Sequence, residues 1–490
     1  MSMLDQSFTA YHFNEIFQIE RRKGNIRKDY FPAEYNALRD EGHRLNEIIR
    51  TLRNKKYDTW SKEEDKLFKE TKKALKENHK DRQTAEWKWL EDIATKVNDP
   101  SYTITLNPKT LGDKQGYTVP DTVENLFVMK TLQANLKNVF KVQQANRHQI
   151  MTQVKLLMNE STPKYIIRTD VHHFYETIPQ NRLLEMIKGN TLLSKMSIRF
   201  MRQILQQYEA MKPSTEHKGL GLPRGVGVSA YLSEIYMRDL DEQIKHREEV
   251  VFYVRYVDDI FMVISHLPQK TSIEQYYEGL RDDFAKVGLA LMDPNVAEQK
   301  KKMLLENLFT TVKTGSKPRK GDFTYLGYKL RWMLSAGNQG NKLITTFYLS
   351  DKKQKKIKAR IDKAFAHFQE KTKYSLKEAK KDLRDSLRFI AGNYRLTKSK
   401  NGIKAGVYYS NDLLSDGNAL NAYTFYLHNK KVEDYVYAEV LKGSSERDHY
   451  ISSIDKMVKR FNFKTQWEER KTYTMTDKRI NQISQWLSEE

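Results

Sequence analysis

At 490 residues the chain is long for one hydrophobic core and points to roughly three domains of ordinary size. Its 85 Lys and Arg outnumber 63 Asp and Glu, and the net charge of +22 makes a polyanion, either nucleic acid or an anionic membrane surface, the expected partner. Cysteine is absent, which excludes disulfides, thiolate zinc sites, iron–sulfur clusters and thiol catalysis and leaves oxygen or imidazole to hold any metal.

No apolar stretch approaches the roughly 18 residues of a membrane span. The opening MSMLDQSFTAYHF lacks the basic-then-apolar layout of a signal peptide, so a soluble cytoplasmic protein is expected. The first hundred residues read as charged amphipathic helices. SKEEDKLFKETKKALKE opens with a capping box, Ser61 and Glu64, and AEWKWLEDIATKV forms a second helix that stops before Pro100. SYTITL alternates as a strand, DTVENLFVMKTLQANL returns to helical spacing, and residues 140–158 read as a short basic strand, a turn and a helix. The strand KYIIRTD ends on Asp170, and the adjacent His172 and His173 are read as packing or surface residues.

A helical stretch over 181–211 leads to the loop HKGLGLPRGVG and the helix SAYLSEIYMRDLDEQI, with Leu232, Ile235, Tyr236 and Leu240 on one face. VVFYVR, a tight polar link and IFMVIS then form a hairpin. Residues 272–308 read mainly as helix, FTYLGYKLRWML and KLITTFYL as a second hairpin around SAGNQGN, and the chain from 350 onward as basic helices. The first of these places Ile357, Ile361, Phe365 and Phe368 on one side; it suits a thumb tracking a phosphate backbone and a solvated lysine face equally well.

The chemistry concentrates at RYVDDIF. Asp258 and Asp259 stand at the tip of an apolar hairpin, and Asp170 ends another apolar strand. A lone Asp pair in a turn is ordinary. Three carboxylates meeting from neighbouring strand ends would repel one another unless divalent cations lay between them, and Mg²⁺ takes oxygen ligands while leaving sites for phosphates. Two such ions can activate a hydroxyl and stabilise a leaving pyrophosphate.

These residues lie in four ordered motifs. DVHHFYETI begins at Asp170; GLPRGVGVSAYLSEIYM follows; RYVDDIF places Asp258 88 residues after Asp170; FTYLGYKL comes last. Together they resemble the palm motifs of reverse transcriptases over about 120–335. The resemblance implies an α+β palm-and-fingers polymerase core with a helical N-terminal extension and a helical, thumb-like C-terminal domain. The expected boundaries are 1–110, 111–335 and 336–490. It further implies RNA-directed or non-templated DNA polymerase activity with two Mg²⁺ or Mn²⁺ ions held by Asp170, the Val171 backbone, Asp258 and Asp259, with Asp259 the more peripheral. Tyr175 falls at the position that excludes a 2′-hydroxyl, Gly225 and Ser229 near the incoming base and template, Tyr256 toward the primer end, and Lys141 and Arg147, by loose position, near the triphosphate.

Three departures stand out: Arg224 where most members have Gln, Ala230 where Pro follows the Ser, and Glu234 where Asn is usual. Arg224 puts ordinary template reading in question and suits a phosphate or the template backbone. The helical extension, the LPRG loop and the C-terminal GNYRL and GIKAGVYYSN segments are similar to bacterial defence-associated (abortive-infection) reverse transcriptases. That likeness implies antiphage immunity, a homo-oligomer, dNTP substrates, an RNA template with a DNA product, and a dedicated non-coding RNA or protein priming. The 28 tyrosines, Tyr408 and Tyr409 among them, leave a priming hydroxyl unassigned. Rival readings are a retron- or intron-like enzyme, an RNA-dependent RNA polymerase, and a non-catalytic RNA-binding protein on a polymerase fold.

Overall fold

The computed structural model of the protein describes residues 5–55, 59–112, 114–189, 192–212, 218–309, 312–313, 315–337, 340–396, 404–437 and 444–488. In chain order its elements are α1 (Ala10–Lys23), α2 (Ala33–Arg53), α3 (Lys62–Asn98), β1 (Asn107–Leu111), β2 (Lys114–Thr118), α4 (Val123–Phe140), α5 (Arg147–Asn159), β3 (Tyr165–Asp170), α6 (Phe174–Thr177), α7 (Gln180–Lys188), α8 (Lys195–Met211), α9 (Ser229–Lys245), β4 (Val250–Tyr256), β5 (Asp259–Ile264), α10 (Ile273–Lys286), α11 (Ala297–Lys300) and β6 (Leu304–Asn307). There follow β7 (Arg319–Tyr325), β8 (Tyr328–Gly337), β9 (Gly340–Leu349), α12 (Asp351–Thr372), α13 (Leu376–Ala391), β10 (Asn393–Leu396), β11 (Lys404–Gly406), α14 (Asn421–His428), α15 (Ser444–Val458), α16 (Phe463–Glu469), β12 (Thr472–Met475) and α17 (Asp477–Trp486). None of the described helices is long and apolar enough to cross a membrane.

Two compact units divide the chain. The first comprises residues 1–145 and 166–306, the second 146–165 and 307–490. The first is built on a four-stranded sheet in the order β4-β5-β3-β6. β5 is buried from Ile260 to Ile264, as its unbroken apolar run requires of an inner strand covered on both faces. α10 lies against β3, where the Tyr277 hydroxyl lies 2.7 Å from Thr169 Oγ1 and donates to the Met292 carbonyl at 2.7 Å. At the N-terminal end, α1, α2 and α3 close around an aromatic cluster. Phe17 and Phe31 pack on Trp89, Phe31 stacks on Tyr35 at 4.3 Å, and Trp89 and Phe13 meet Phe127 of α4. The helical extension is thereby part of the same packed unit as the sheet.

The second unit contains the meander β7-β8-β9, the three-stranded sheet β11-β10-β12 and helices α12 to α17. Ile361, Phe365 and Phe368 of α12 and Leu383 and Leu387 of α13 are buried, and Ile357 is only partly so.

Several expected elements differ. The two N-terminal helices are one, α3, because the capping box at Ser61 starts a helix that no Gly or Pro interrupts before Pro100. SYTITL is not a strand; pairing begins at Asn107, where β1 finds β2. No strand forms at 140–142, since α4 runs to Phe140 and ends on Lys141 in a left-handed conformation. FTYLGYKLRWML is two strands, turned at Leu326 (φ 40°) and Gly327 (φ 79°), the two positive angles of a type I′ hairpin. The stretch after α10 gives way to β6, which adds to the sheet edge. Residues 338–339 of SAGNQGN, His217 of the glycine-rich loop and residues 402–403 of GIKAGVYYSN lie outside the described residues.

Phe127 is fully buried where α1, α3 and α4 meet. Phe127→Ala is expected to destabilise the first unit by about 3–5 kcal/mol, read as a lower urea midpoint for its unfolding transition.

Candidate active site

The hairpin β4–β5 pairs Tyr256 with Asp259, leaving Val257 and Asp258 as a two-residue turn. Val257 sits at φ +62°, where glycine is usual and a β-branched residue is strained. β3 ends beside this tip. The Val171 amide donates to the Asp258 carbonyl at 2.9 Å, and the Met292 amide donates to the Asp170 carbonyl at 3.1 Å. Carboxylate oxygens of Asp170, Asp258 and Asp259 consequently lie within 4.8 Å of one another.

Burial pushes the Asp170 carboxyl up to about 7, and the neighbouring charges of Asp259 and Asp258 add to the rise. Asp258 is raised as well, chiefly by burial, against the opposing pull of Arg224 and Lys114. Asp259 accepts from Arg168 Nη2 at 2.8 Å, while Arg168 Nη1 donates to the Lys302 carbonyl at 2.6 Å. Asp170 Oδ1 is a buried atom with no hydrogen-bond partner among the described residues. A buried orphan oxygen amid three carboxylates suits a hard divalent cation, which takes oxygen ligands and relieves the repulsion between them.

What holds the strained turn is Arg255, the residue before Tyr256. It is 5% exposed. Its Nη1 donates to the Val257 carbonyl at 2.8 Å; its guanidinium forks onto Glu234 (3.1 and 2.8 Å) and reaches Asp241 (2.7 Å) on α9, and it lies 5.6 Å from the Phe174 ring centre. Tyr253 donates to Asp241 at 2.7 Å. Burial opposes the charge on Arg255, and Asp241 and Glu234 override it. The unusual Glu234 is thus the counter-charge of Arg255.

The other expected site residues fall into three groups. Tyr175 is largely buried beside Ser233, with its hydroxyl pKa raised by burial and the Arg224 guanidinium 5.2 Å from its ring centre. Arg224 itself donates from Nε and Nη2 to Glu176 Oε1 at 3.1 and 2.8 Å. Arg224 and Glu176 line a cavity of about 790 Å³ together with Lys114, Gln115 and His173. Gly225 has φ +93°, and a Cβ there would stand 2.8 Å from the Tyr117 carbonyl, so the loop meets β2 backbone to backbone. Ser229 is buried and donates to the Pro223 carbonyl at 2.8 Å, closing the loop on itself. Lys141 is an exposed helix cap, and Arg147 belongs to the second unit, where its Nε donates to the Leu326 carbonyl at 2.7 Å. Neither is part of the carboxylate cluster.

Three residues near the carboxylates were not singled out from sequence: Arg168, Lys114 and Arg255. Arg168 had a signal, since it precedes Asp170 by two on a strand and so shares its face. Lys114 had none, because a hairpin distant in sequence brings it near Asp258.

Residues 123–330 match the family model described as reverse transcriptase (RNA-dependent DNA polymerase). The chain carries a reverse transcriptase domain. It is an RNA-directed DNA polymerase with an α+β palm-and-fingers core and helical additions at both ends. No curated protein matches the chain. Among solved structures, a Candida tropicalis apo telomerase truncated from its C-terminal domain is 14% identical with a TM-score of 0.29, over 54% of this chain and 69% of that one. The Candida tropicalis telomerase in complex with a TWJ fragment of telomeric RNA is 14% identical with a TM-score of 0.31, over 87% and 75%.

Two outcomes follow from the reverse transcriptase domain's electrostatics. Arg255→Gln leaves Glu234 and Asp241 without their counter-charge and is expected to cost about 3–5 kcal/mol in thermal or urea unfolding; Arg255→Lys, lacking the fork, recovers only part of it. Asp170 has its pKa raised on folding, so its contribution is full below about 4 and is lost as pH rises through about 7. Asp170→Asn is therefore expected to raise the melting temperature at pH 8 without divalent ions and to flatten the fall in stability between pH 4 and 7. Added Mg²⁺ should raise the melting temperature of the wild type and not of the variant.

Proposed function

We propose that this chain makes DNA from deoxynucleoside triphosphates on an RNA template, with Asp170, Asp258 and Asp259 as the catalytic carboxylates. The observation that carries the reading is the convergence of those three groups, together with a buried Asp170 oxygen that has no hydrogen-bond partner among the described residues. Asp170, Asp258, Asp259 and the Val171 backbone would hold the divalent ions, Mg²⁺ or Mn²⁺, whose chemistry when bound is to favour attack of a hydroxyl on the α-phosphate and to stabilise pyrophosphate. The protein's own part is placement. Arg168 holds Asp259, and Arg255 holds the turn that presents Asp258. Tyr175 serves as the barrier to a 2′-hydroxyl. Lys114 and Arg224 supply positive charge toward Asp258, on the side where a triphosphate would lie.

The biological setting we propose is antiphage defence in a bacterial cytoplasm, by a homo-oligomer that uses a dedicated non-coding RNA or a protein primer. The support is the combination of a helical extension, the LPRG loop and a helical C-terminal region. Plating phage on cells with and without the gene tests it: protection that disappears in the double carboxylate variant is expected, and protection that survives it refutes a role for DNA synthesis.

Purified protein with its co-purifying RNA should incorporate labelled dNTP, and Asp258→Ala with Asp259→Ala should abolish incorporation to background. Tyr175→Ala should raise ribonucleotide use relative to deoxynucleotide by at least about tenfold, read by offering NTPs beside dNTPs.

A further inference from the structure

On its first turns α3 pairs its lysines at i,i+4: Lys69 with Asp65 at 2.6 Å and Lys66 with Glu70 at 4.0 Å. Beyond that the pairing stops. Lys72, Lys76 and Lys80 follow at the same spacing, exposed on one face, with no ion pair among the described residues. Arg53 of α2 and His79 join them around a groove of about 520 Å³ floored by Ile49 and Leu75, and no carboxylate among the described residues lines it. Like charges at i,i+4 destabilise a helix by a few tenths of a kcal/mol per pair. The same helix shows the remedy one turn earlier, so an unneutralised row calls for an anion from outside.

The row continues into a second depression that shares Lys80 and adds Lys88, Trp87 and Glu91. Its one carboxylate is engaged, since Trp87 Nε1 donates to Glu91 at 2.7 Å. The Trp87 ring meets Tyr11 edge-on at 4.7 Å, and Tyr11 is 73% exposed. From Lys72 to Lys88 the helix rises about 24 Å, the reach of a few nucleotides. A row of cations ending at an exposed tyrosine and a half-buried tryptophan is the pattern that holds single-stranded nucleic acid, by phosphate contacts and base stacking. An anionic membrane fits less well, because the apolar residues form the floor of a groove and not its rim.

We infer that this face of α3, with Arg53, is a second nucleic-acid site, which binds single-stranded RNA outside the carboxylate site. The preference for RNA over DNA rests on the reverse transcriptase reading; the affinity for a phosphate backbone does not. α3 is bound to α4 through Trp89 and Phe127 and through Lys96 and Glu124 at 3.1 Å, so RNA held here is anchored to the polymerase unit itself.

The test uses the full chain with fluorescein-labelled single-stranded RNA and DNA of one 20-nucleotide sequence, measured by anisotropy across a salt series. Lys72→Gln, Lys76→Gln and Lys80→Gln together keep helix propensity and should weaken RNA binding at least tenfold and lower the salt slope by about 2. The rate of primer extension at saturating short hybrid should not change. Trp87→Ala should weaken binding without changing the slope. Wild-type affinity and slope in the triple variant overturn the site, as does a loss confined to vesicles of phosphatidylcholine and phosphatidylglycerol. Equal or tighter binding of DNA overturns the RNA assignment while leaving the polymerase reading intact. Ultraviolet crosslinking of wild-type protein to the RNA is independent of variant folding: crosslinked peptides from 53–88 support the site, and crosslinks only elsewhere refute it.

Discussion

A buried arginine carries the geometry on which the candidate site depends. Arg255 places its guanidinium between Glu234, Asp241 and the Val257 carbonyl, and so ties α9 to the tip of the hairpin that bears Asp258. A hairpin with valine at positive φ would otherwise relax, and the carboxylates would lose their relation to Asp170. Burying an ion pair contributes little net stability compared with apolar packing, but it has one arrangement in which every donor is satisfied. Specificity of position, more than strength, is what this network supplies.

The carboxylate cluster is unfavourable to the fold that contains it. Asp170 is half-buried beside two other acids, and among the described residues its Oδ1 has no hydrogen-bond partner and Arg168 alone makes a direct ion pair with the group. The apolar sheet offsets that conflict, since β5 is buried from Ile260 to Ile264 and fixes the strand ends that carry the acids. The same physics explains the positive charge nearby. Lys114 and Arg224 favour the charged form of Asp258 from the cavity side, and Arg224 is itself restrained by Glu176. An arginine in the LPRG loop is therefore part of a local charge balance, whatever it touches in the working complex.

Legibility from sequence followed the range of the interactions. Apolar alternation and the acidic ends of KYIIRTD and RYVDDIF marked the strands and the three carboxylates, because strand period and burial are local properties. Helix α3 was readable from its capping box, although its length was not, since nothing in 78–84 announces continuation except the lack of a breaker. SYTITL alternates yet finds no partner strand, and β-structure exists only where a neighbour supplies hydrogen bonds. Leu326–Gly327 turned where a longer strand was expected, because two positive φ angles outweigh the β-propensity of the flanking residues. Arg255 and Glu234 were both visible as letters, but their pairing joins residues 21 apart on a helix and a strand.

The sequence by itself determined the class of chemistry. An excess of cations points to a polyanionic partner, the absence of cysteine excludes thiolate chemistry, and the order of its motifs names a reverse transcriptase domain. Only the tertiary structure decided which groups share a site. The nearness of Lys114 to Asp258, the pairing of Arg255 with Glu234 and the grouping of Arg53 with the lysines of α3 depend on how separate elements pack. Packing is a property of summed apolar contacts over the whole unit that no local stretch of sequence carries.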